Sequence, residues 1–526
     1  MKYSVTKNLQ FLHTGDRMDL FGGDSCSTES DEGDLCASEV PPASVAEEIP
    51  AAVIAAAAVR STAWSSPTAE DAASDGDDDD GGFDAVTLPL HVEFNGVATA
   101  TTHHTLRTEF PPCAIECLHL RDWAALSSGP PPPSLVACGT YKLIEADEAS
   151  TAVAAEARRE GKLMLFSSVA VAAAKVVAAA AAEEEEGGGG GASSLLGGLE
   201  LHAVADTSAI LDLKWVQLPG AGAGIITACA DGTLRTWSVD AASSSVASAS
   251  LALASECACV DASTLCLAVD WSERSAARDA VASSHSDGTL SLARLAPEGL
   301  VLDRNWAAHA HGGAQIAGRA AEVWTVAFGR CGAAANEVLF SGAEDATLKL
   351  WDLRGASLVK ATRAGSFDAG VTSLAPHPTA EHVIAVGSYD GNVRLWDTRQ
   401  LRAPTAVHPV GGGVWRLKWH PDPSVPLLLA ACMRGGCRVL SCAPDASSAA
   451  SSSGASSASS SARCWSIRGA ATYAEHGDDA LAYGIDWVAV TPPGERPSGG
   501  GGWGATVCSC SFYEHSVRVW SASSLV

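Results

Sequence analysis

A short repeated pattern constrains the fold of this chain more than any other feature. Each copy has a short apolar strand, an acidic or polar turn and a second strand that usually closes on Trp. Two copies close on Trp-Asp, which is typical of a β-propeller blade. One blade cannot bury both faces of its sheet, so the repeats must stack around an axis. The turns of the five clearest copies are Ala230-Asp231-Gly232, Ser286-Asp287-Gly288, Glu344-Asp345, Tyr389-Asp390-Gly391 and Tyr513-Glu514-His515.

The regions outside the repeats differ strongly from them in composition. Residues 1–85 are rich in Asp, Glu, Ser, Ala and Gly, which predicts a disordered acidic tail. Residues 86–526 are predicted to form one all-β domain, a seven-bladed WD-repeat β-propeller. Long gaps between its repeats coincide with low-complexity insertions at about 170–198, 241–255 and 447–461, which we expect to be surface loops.

The last repeat is one strand short of a four-stranded blade. Only a few residues follow Trp520, so this unit has three strands of its own. The segment Leu88–Thr102 alternates apolar and polar residues, and we expect it to supply the fourth strand. Such a closure would also remove an exposed sheet edge.

Charge and cysteine usage limit the possible partners and compartment. The chain has a formal net charge of −27 and no basic stripe, which argues against nucleic acid and anionic membranes as partners. Its cysteines form no paired zinc motif, so a zinc site is not expected, and no signal peptide is recognisable. These features indicate a reducing compartment, the cytosol or the nucleus, of which we favour the cytoplasm. We also expect a monomer without a cofactor. The pair His309 and His311 has no third ligand nearby in sequence, and we expect it to lie in an exposed loop.

The turns between second and third strands should ring the mouth of the propeller channel on one face. Tyr389, Asp390, Tyr513, Glu514 and His515 occupy two such turns. An Asp at this position usually caps backbone N–H groups, so Asp390 has a structural interpretation as well as a functional one. His515 stands where Gly is usual and has no obvious packing role.

Two innermost strands open with aromatic and charged residues near the same mouth. They are Glu322 with Trp324, and Trp415 with Arg416. A Trp at this position either plugs the channel or lines a binding mouth, where Trp and Arg are favoured. The residues alone leave both interpretations open.

Several segments together resemble one family of WD-repeat proteins. The order of GGVWRLKWHP (Gly412–Pro421), LAYGIDW (Leu481–Trp487) and SFYEH (Ser511–His515) is similar to the diphthine methyl esterase family. This family is also named methylated-diphthine methylhydrolase or diphthine methyltransferase. The resemblance covers blades one, two and five to seven, whereas blades three and four match only the general WD pattern.

The resemblance implies a substrate and a reaction. The substrate would be a modified histidine on translation elongation factor 2, which carries a trimethylammonium group and a methyl ester. The family is held to hydrolyse that ester, which releases methanol and lets amidation complete diphthamide. No glycine-rich loop followed by a helix, as a nucleotide cofactor would need, is recognisable in the sequence.

Position and chemistry suggest roles for the mouth residues in such a reaction. Ester hydrolysis needs a base, an activated water and donors for the developing oxyanion. We expect His515 to be the base, Glu514 or Asp390 to orient it, and Arg416 or backbone N–H groups to donate to the oxyanion. An aromatic, partly acidic cage for the trimethylammonium group would comprise Trp415, Trp324, Glu322, Tyr389 and Tyr513.

A different class of function is also open. Many WD-repeat propellers are non-enzymatic scaffolds that present a protein partner to a larger complex. Release of methanol from the esterified substrate by the purified protein would distinguish an enzyme from a scaffold.

Overall fold

The computed structural model describes the repeats and leaves gaps between some of them. The described residues are 98–119, 135–144, 158–168, 198–220, 222–240, 249–272, 279–312, 318–332, 335–444, 464–476, 480–489 and 505–522. The predicted tail at 1–85, residues 170–197 and the insertion at 447–461 lie outside these ranges.

The described strands form the seven blades of a β-propeller, as the repeats predicted, and the strands within each blade are antiparallel. In each blade the strands run in chain order from the innermost to the outermost position. The exceptions are the short β4 of blade 1 and the outer strand of blade 7, which precedes blade 1 in the sequence.
Blade 1 contains β2 (Pro112–Cys117), β3 (Leu135–Thr140), β5 (Arg158–Ser168) and β6 (Leu199–Ser208), with the short β4 (Lys142–Ile144) paired to β5. Blade 2 contains β7 (Ile210–Leu218), β8 (Gly222–Cys229), β9 (Thr233–Asp240) and β10 (Ser250–Ala258). Blade 3 contains β11 (Cys266–Trp271), β12 (Ala280–His285), β13 (Thr289–Ala296) and β14 (Gly299–Ala307).

The remaining four blades follow the same order. Blade 4 contains β15 (Val323–Phe328), β16 (Val338–Ala343), β17 (Leu348–Asp352) and β18 (Ser357–Ala361). Blade 5 contains β19 (Val371–Pro376), β20 (Val383–Ser388), β21 (Asn392–Asp397) and β22 (Ala406–Pro409). Blade 6 contains β23 (Arg416–Trp419), β24 (Leu427–Ala431), β25 (Cys437–Pro444) and β26 (Trp465–Tyr473). Blade 7 contains β27 (Ala482–Ala489), β28 (Ala505–Ser511), β29 (Ser516–Ala522) and, as its outer strand, β1 (Ala98–Arg107).

Helical structure is almost absent from the described ranges. They contain no α-helix and one short 3-10 turn, Ala335–Glu337. Within them, no helix has the length and apolar character needed to span a bilayer.

The strand that closes the ring comes from the N-terminal side of the propeller, as expected, but its position differs from the prediction. β1 pairs antiparallel with β29 from Ala100 opposite Ala522 to Arg107 opposite Ser516. It also pairs in parallel with β26 at Ala98, which joins blades 6 and 7 into one sheet. The predicted strand Leu88–Thr102 therefore ends five residues too early, and residues 88–97 lie outside the described ranges. An outer strand exposes one face to water, and the polar sequence of residues 101–107 is consistent with that position.

A second correction concerns the insertion predicted at 241–255. Residues 250–255 belong to β10, the outer strand of blade 2, which pairs with β9 along its length. Its Ala- and Ser-rich sequence resembles a loop because most of its side chains face solvent. An outer strand needs backbone partners more than it needs apolar side chains.

At three junctions between neighbouring blades, the innermost strands are connected by the same type of hydrogen bond. The carboxylate of Asp212 accepts from the backbone N–H of Val269 in the next blade, at 3.1 Å. Asp270 and Asp486 make the same contact with Phe328 and Cys117, at 2.8 and 2.9 Å. These bonds satisfy buried groups on both sides and fix the spacing of the blades around the channel.

Removing the closing strand tests this architecture. We expect a chain that begins at Thr108 to unfold at a temperature roughly 5 °C or more below that of a chain that begins at Asn95, since it loses a full outer strand and exposes the edge of β29. Thermal unfolding followed by circular dichroism measures both midpoints. Equal midpoints would show that β1 does not close the ring.

Candidate functional site

The candidate site lies where the turns of blades 5, 6 and 7 meet the starts of their innermost strands. The turn after β20 carries Tyr389, the turn after β24 carries Met433, and the turn after β28 carries Tyr513. All three connect a second to a third strand and therefore lie at the same face of the propeller. Side chains from three blades thus converge at one mouth.

Aromatic rings form a continuous group at this mouth. The ring of Trp415 lies edge-on to that of Tyr483, with centroids 5.0 Å apart. Tyr483 contacts Phe512 at 5.6 Å, and Phe512 contacts Tyr513 at 5.8 Å. Tyr513 at the end of this group is 36% exposed, and Tyr389 in the turn of blade 5 is 41% exposed, so the mouth presents aromatic surface to solvent.

Two of the predicted aromatic residues, Trp415 and Tyr513, are connected through two residues that the sequence analysis did not single out. Tyr483 and Phe512 are buried and stand between Trp415 and Tyr513. Both lie in apolar sequence typical of strands, where an aromatic residue at a site cannot be distinguished from an ordinary core residue. Burial raises the pKa of Tyr513 to about 12, so its hydroxyl stays protonated at neutral pH.

Trp324 and Glu322 lie on blade 4 and interact with each other. The indole N–H of Trp324 donates to Glu322 Oε2 at 3.2 Å. The Trp324 ring packs closely on Gly370 and against the same apolar cluster as Trp415. Both tryptophans are partly buried. They are therefore part of the channel wall near the mouth and are not freely exposed rings.

Arg416 points across the channel instead of offering its donors at the mouth. Its Nη2 donates to the carbonyl of Leu211 at 3.1 Å and lies 3.3 Å from Asp212 Oδ1 on blade 2. Burial alone would raise the pKa of Asp212, but Lys214 and Arg416 hold it below its usual value. Arg416 is therefore a structural cross-link of the channel, and this geometry does not support the oxyanion role expected for it.

Asp390 has the structural role that was one of its two interpretations. Its carboxylate accepts from the backbone N–H of Asn392 at 3.1 Å and pairs with Arg394 at 2.8 Å. Burial would raise the pKa of Asp390, but the bonds from Arg394 and its neighbours lower it overall. A carboxylate held in this way caps its own turn and has no contact with His515.

Two hydrogen-bonded chains of His, acid, Ser and Trp hold the mouth turns of blades 4 and 7. In blade 4, His309 bonds Asp345 at 2.9 Å and Ser341 at 2.7 Å, and Trp351 donates to the same Ser341 oxygen at 2.8 Å. His309 is buried, so the expectation of an exposed loop was wrong. No group of three His, Cys, Asp or Glu side chains suited to a metal occurs in the described part of the chain.

Blade 7 repeats this chain with Glu in place of Asp, and this changes the role of Glu514. Glu514 lies 3.3 Å from His476 Nδ1, while His476 Nε2 bonds Ser509 at 2.9 Å and Trp520 donates to Ser509 at 3.0 Å. Arg518 adds a pair with Glu514 at 3.1 Å. Glu514 thus orients His476, not His515 as expected. The sequence contains an indication of this pair, because His476 precedes β27 as His309 precedes β15. It was not recognised because blade 7 has Glu514 where blade 4 has Asp345.

His515 remains the candidate base. It occupies the left-handed region at φ 49°, where the equivalent turns of blades 2, 3 and 5 have Gly. Its backbone N–H donates to Phe512, and its carbonyl accepts from Thr108 at 2.8 Å. Its ring is partly exposed and makes no hydrogen bond to another described residue. Ala346 has the same conformation in blade 4, so the backbone strain alone does not indicate chemistry.

Fold and site together define the class of this protein as a WD-repeat β-propeller with an aromatic mouth. The family model described as "WD domain, G-beta repeat" matches residues 314–352 and 359–397, which cover parts of blades 4 and 5.

Curated relatives give the family within that class. The chain is 30% identical to "Diphthine methyltransferase homolog" of Dictyostelium discoideum over 402 residues, which are 74% of this chain and 93% of that protein. It is 37% identical to "Diphthine methyltransferase" of Homo sapiens over 45% of this chain, and 35% identical to that of Mus musculus over 59% of it. These matches span 50% and 58% of the two mammalian proteins, about half of their length. The chain belongs to the diphthine methyltransferase family.

The buried histidines predict a specific pH dependence of stability. Burial lowers the pKa of His476 and of His285 to about 4, whereas an unfolded histidine titrates near 6.5. Between these values the unfolded chain binds protons that the folded chain does not. The free energy of unfolding should therefore be at its full value above about pH 6.5 and fall as the pH drops below it, by about 2 kcal/mol per buried histidine at pH 5.

Urea unfolding of the wild type and His476→Gln at pH 7.5 and pH 5 measures this effect. His476→Gln should be less stable at both pH values but lose less between them. The matched variant His103→Gln, at an exposed position, should lose as much as the wild type. An unchanged difference in His476→Gln would contradict the assignment.

Proposed function

We propose that this protein acts in diphthamide biosynthesis and hydrolyses the methyl ester of methylated diphthine on translation elongation factor 2. The products are the free carboxylic acid on the elongation factor and methanol. The strongest support is the aromatic mouth on a chain of this family. The proposal places the protein in the cytoplasm, where its substrate works in translation.

The mouth suits the substrate in charge and in shape. A quaternary ammonium group over an aromatic ring gains on the order of 0.5–2 kcal/mol, and Trp415, Tyr389 and Tyr513 supply such rings. Two of these rings are exposed at a propeller face, which a histidine on a large folded partner can reach. A deep pocket would exclude such a partner.

The chemistry proposed here uses His515 alone among the residues expected to be catalytic. His515 accepts a proton from water while the water oxygen attacks the ester carbonyl carbon. The bond from that carbon to the methoxy oxygen then breaks, and the methoxy oxygen takes the proton back from His515 and leaves as methanol. Glu514 and Asp390 hold the turns on which the mouth residues lie.

Substitution of His515 by glycine separates chemistry from folding. His515→Gly removes the imidazole and relieves the left-handed strain, so its melting temperature should equal or exceed that of the wild type. Loss of a general base should lower methanol release by about 10²-fold or more. Methanol release and mass spectrometry of the elongation factor measure the reaction.

The matched control lies in blade 4. Ala346→Gly relieves the same strain away from the proposed chemistry, and it should leave the rate of methanol release unchanged. Full activity of His515→Gly would eliminate His515 as the base. A wild-type protein that releases no methanol from the esterified substrate would eliminate the hydrolase proposal and favour a scaffold.

A further inference from the structure

Trp415, at the mouth, lies just outside the regular structure of blade 6. The strand β23 begins one residue later and has four residues, which makes it the shortest of the seven innermost strands. The backbone N–H of Trp415 donates to the carbonyl of Ala431 at 2.7 Å, and its ring lies against that of Tyr483. The place of this ring therefore depends on contacts beyond the strand pairing of its own blade.

Arg416 supplies such a contact across the channel. Its Nη1 donates to the carbonyl of Trp415 at 3.4 Å. Its Nη2 donates to the carbonyl of Leu211 at 3.1 Å and lies 3.3 Å from Asp212 Oδ1. Leu211 and Asp212 belong to β7 of blade 2, which is three blades away from blade 6, the largest separation in a ring of seven. One guanidinium group therefore connects the backbone of Trp415 to a strand across the channel.

The Arg416 contact lies within a largely buried layer of opposite charges below the mouth. The side chains of Arg416 and Asp212 are 13% and 7% exposed. Asp212 also pairs with Lys214 at 3.0 Å, and Lys418 of β23 pairs with Glu116 of blade 1. The donors of a guanidinium have fixed directions, so one arginine can serve two carbonyls and a carboxylate together. These contacts fix the Arg416 side chain before any ligand arrives.

We propose that Arg416 is a positioning residue for the mouth. Anchored on Leu211 and Asp212, it holds the backbone of Trp415 and so sets the place of the indole ring. The inference rests on the proposed function, in which Trp415 binds the trimethylammonium group, and it deepens that function by extending the determinants of substrate binding to blade 2. A ring attracts a cation only when its face lies close to the charge, so a displaced ring binds more weakly.

Fluorine NMR of the full-length protein labelled with 5-fluorotryptophan observes this ring without a partner or a reaction. The resonance that Trp415→Phe removes belongs to Trp415. Arg416→Ala should move and broaden that resonance. Arg416→Lys should move it less, because lysine keeps the charge beside Asp212 but not the directed donors. An unchanged Trp415 resonance in Arg416→Ala would overturn the positioning role.

Asp212→Asn tests whether blade 2 acts through Arg416. Asparagine keeps an acceptor oxygen for the N–H of Val269 but loses the charge that anchors Arg416. It should move the Trp415 resonance in the wild type and cause no further movement in Arg416→Ala, as expected for two residues that act through one contact. Equal movements in both backgrounds would contradict the coupling.

Tetramethylammonium is the probe for ligand binding. Titrated into the labelled wild type, it should shift the Trp415 resonance to saturation, and Arg416→Ala should weaken its binding by about threefold or more. Equal affinities, or no shift in the wild type, would contradict the inference. Methanol release is measured separately, so a wild type that binds tetramethylammonium at Trp415 but releases no methanol would contradict only the hydrolase proposal.

The matched control is Arg330→Ala. Arg330 makes the same kind of bridge from blade 4 to blade 3, since its Nη2 lies 2.7 Å from Asp270 Oδ1 and its Nη1 donates to the carbonyl of Trp271 at 3.2 Å. It follows β15 and lies towards the opposite face. Its loss should lower the melting temperature but leave the Trp415 resonance and the affinity for tetramethylammonium unchanged. The same changes in both variants would indicate general loosening of the propeller and overturn the specific role of Arg416.

Discussion

Closure of the ring by β1 is the constraint on which the rest of the structure depends. A strand from the N-terminal side of the propeller completes the last blade, and its backbone pairs with β29. The contact continues into the mouth, because Thr108 donates to the carbonyl of His515 and Arg107 Nη1 donates to that of Glu514 at 2.5 Å. The same closure that removes a sheet edge therefore positions the turn with the candidate base.

Rigidity of the mouth follows from contacts between blades. The Asp contacts at the innermost strands fix the channel, and the two His-to-Trp chains fix the turns of blades 4 and 7. Aromatic and charged side chains from three blades then meet with little freedom of the backbone beneath them. Such preorganisation favours binding, because less ordering remains when a ligand arrives.

The seven blades and most innermost strands could be predicted from the sequence, because each repeat contains an apolar strand, a polar turn and a second strand that usually ends on Trp. It was less informative where strands face solvent, as β1 and β10 show, since an outer strand can be polar or Ala-rich. It also identified the mouth turns, but not the partners of their side chains. Glu514 was paired with the wrong histidine because His476 is distant in sequence and adjacent in space.

The central proposal is that the esterified histidine binds at the mouth formed by blades 5, 6 and 7. Hydrogen–deuterium exchange of the full-length protein, with and without elongation factor 2 carrying the methylated diphthine ester, tests it most directly. The account predicts slower exchange in peptides that cover 386–392, 431–437 and 509–516 when the esterified partner is added, and less protection with the unmodified partner. Protection confined to the opposite face, at 398–405 and 420–426, or equal protection by both forms would contradict it.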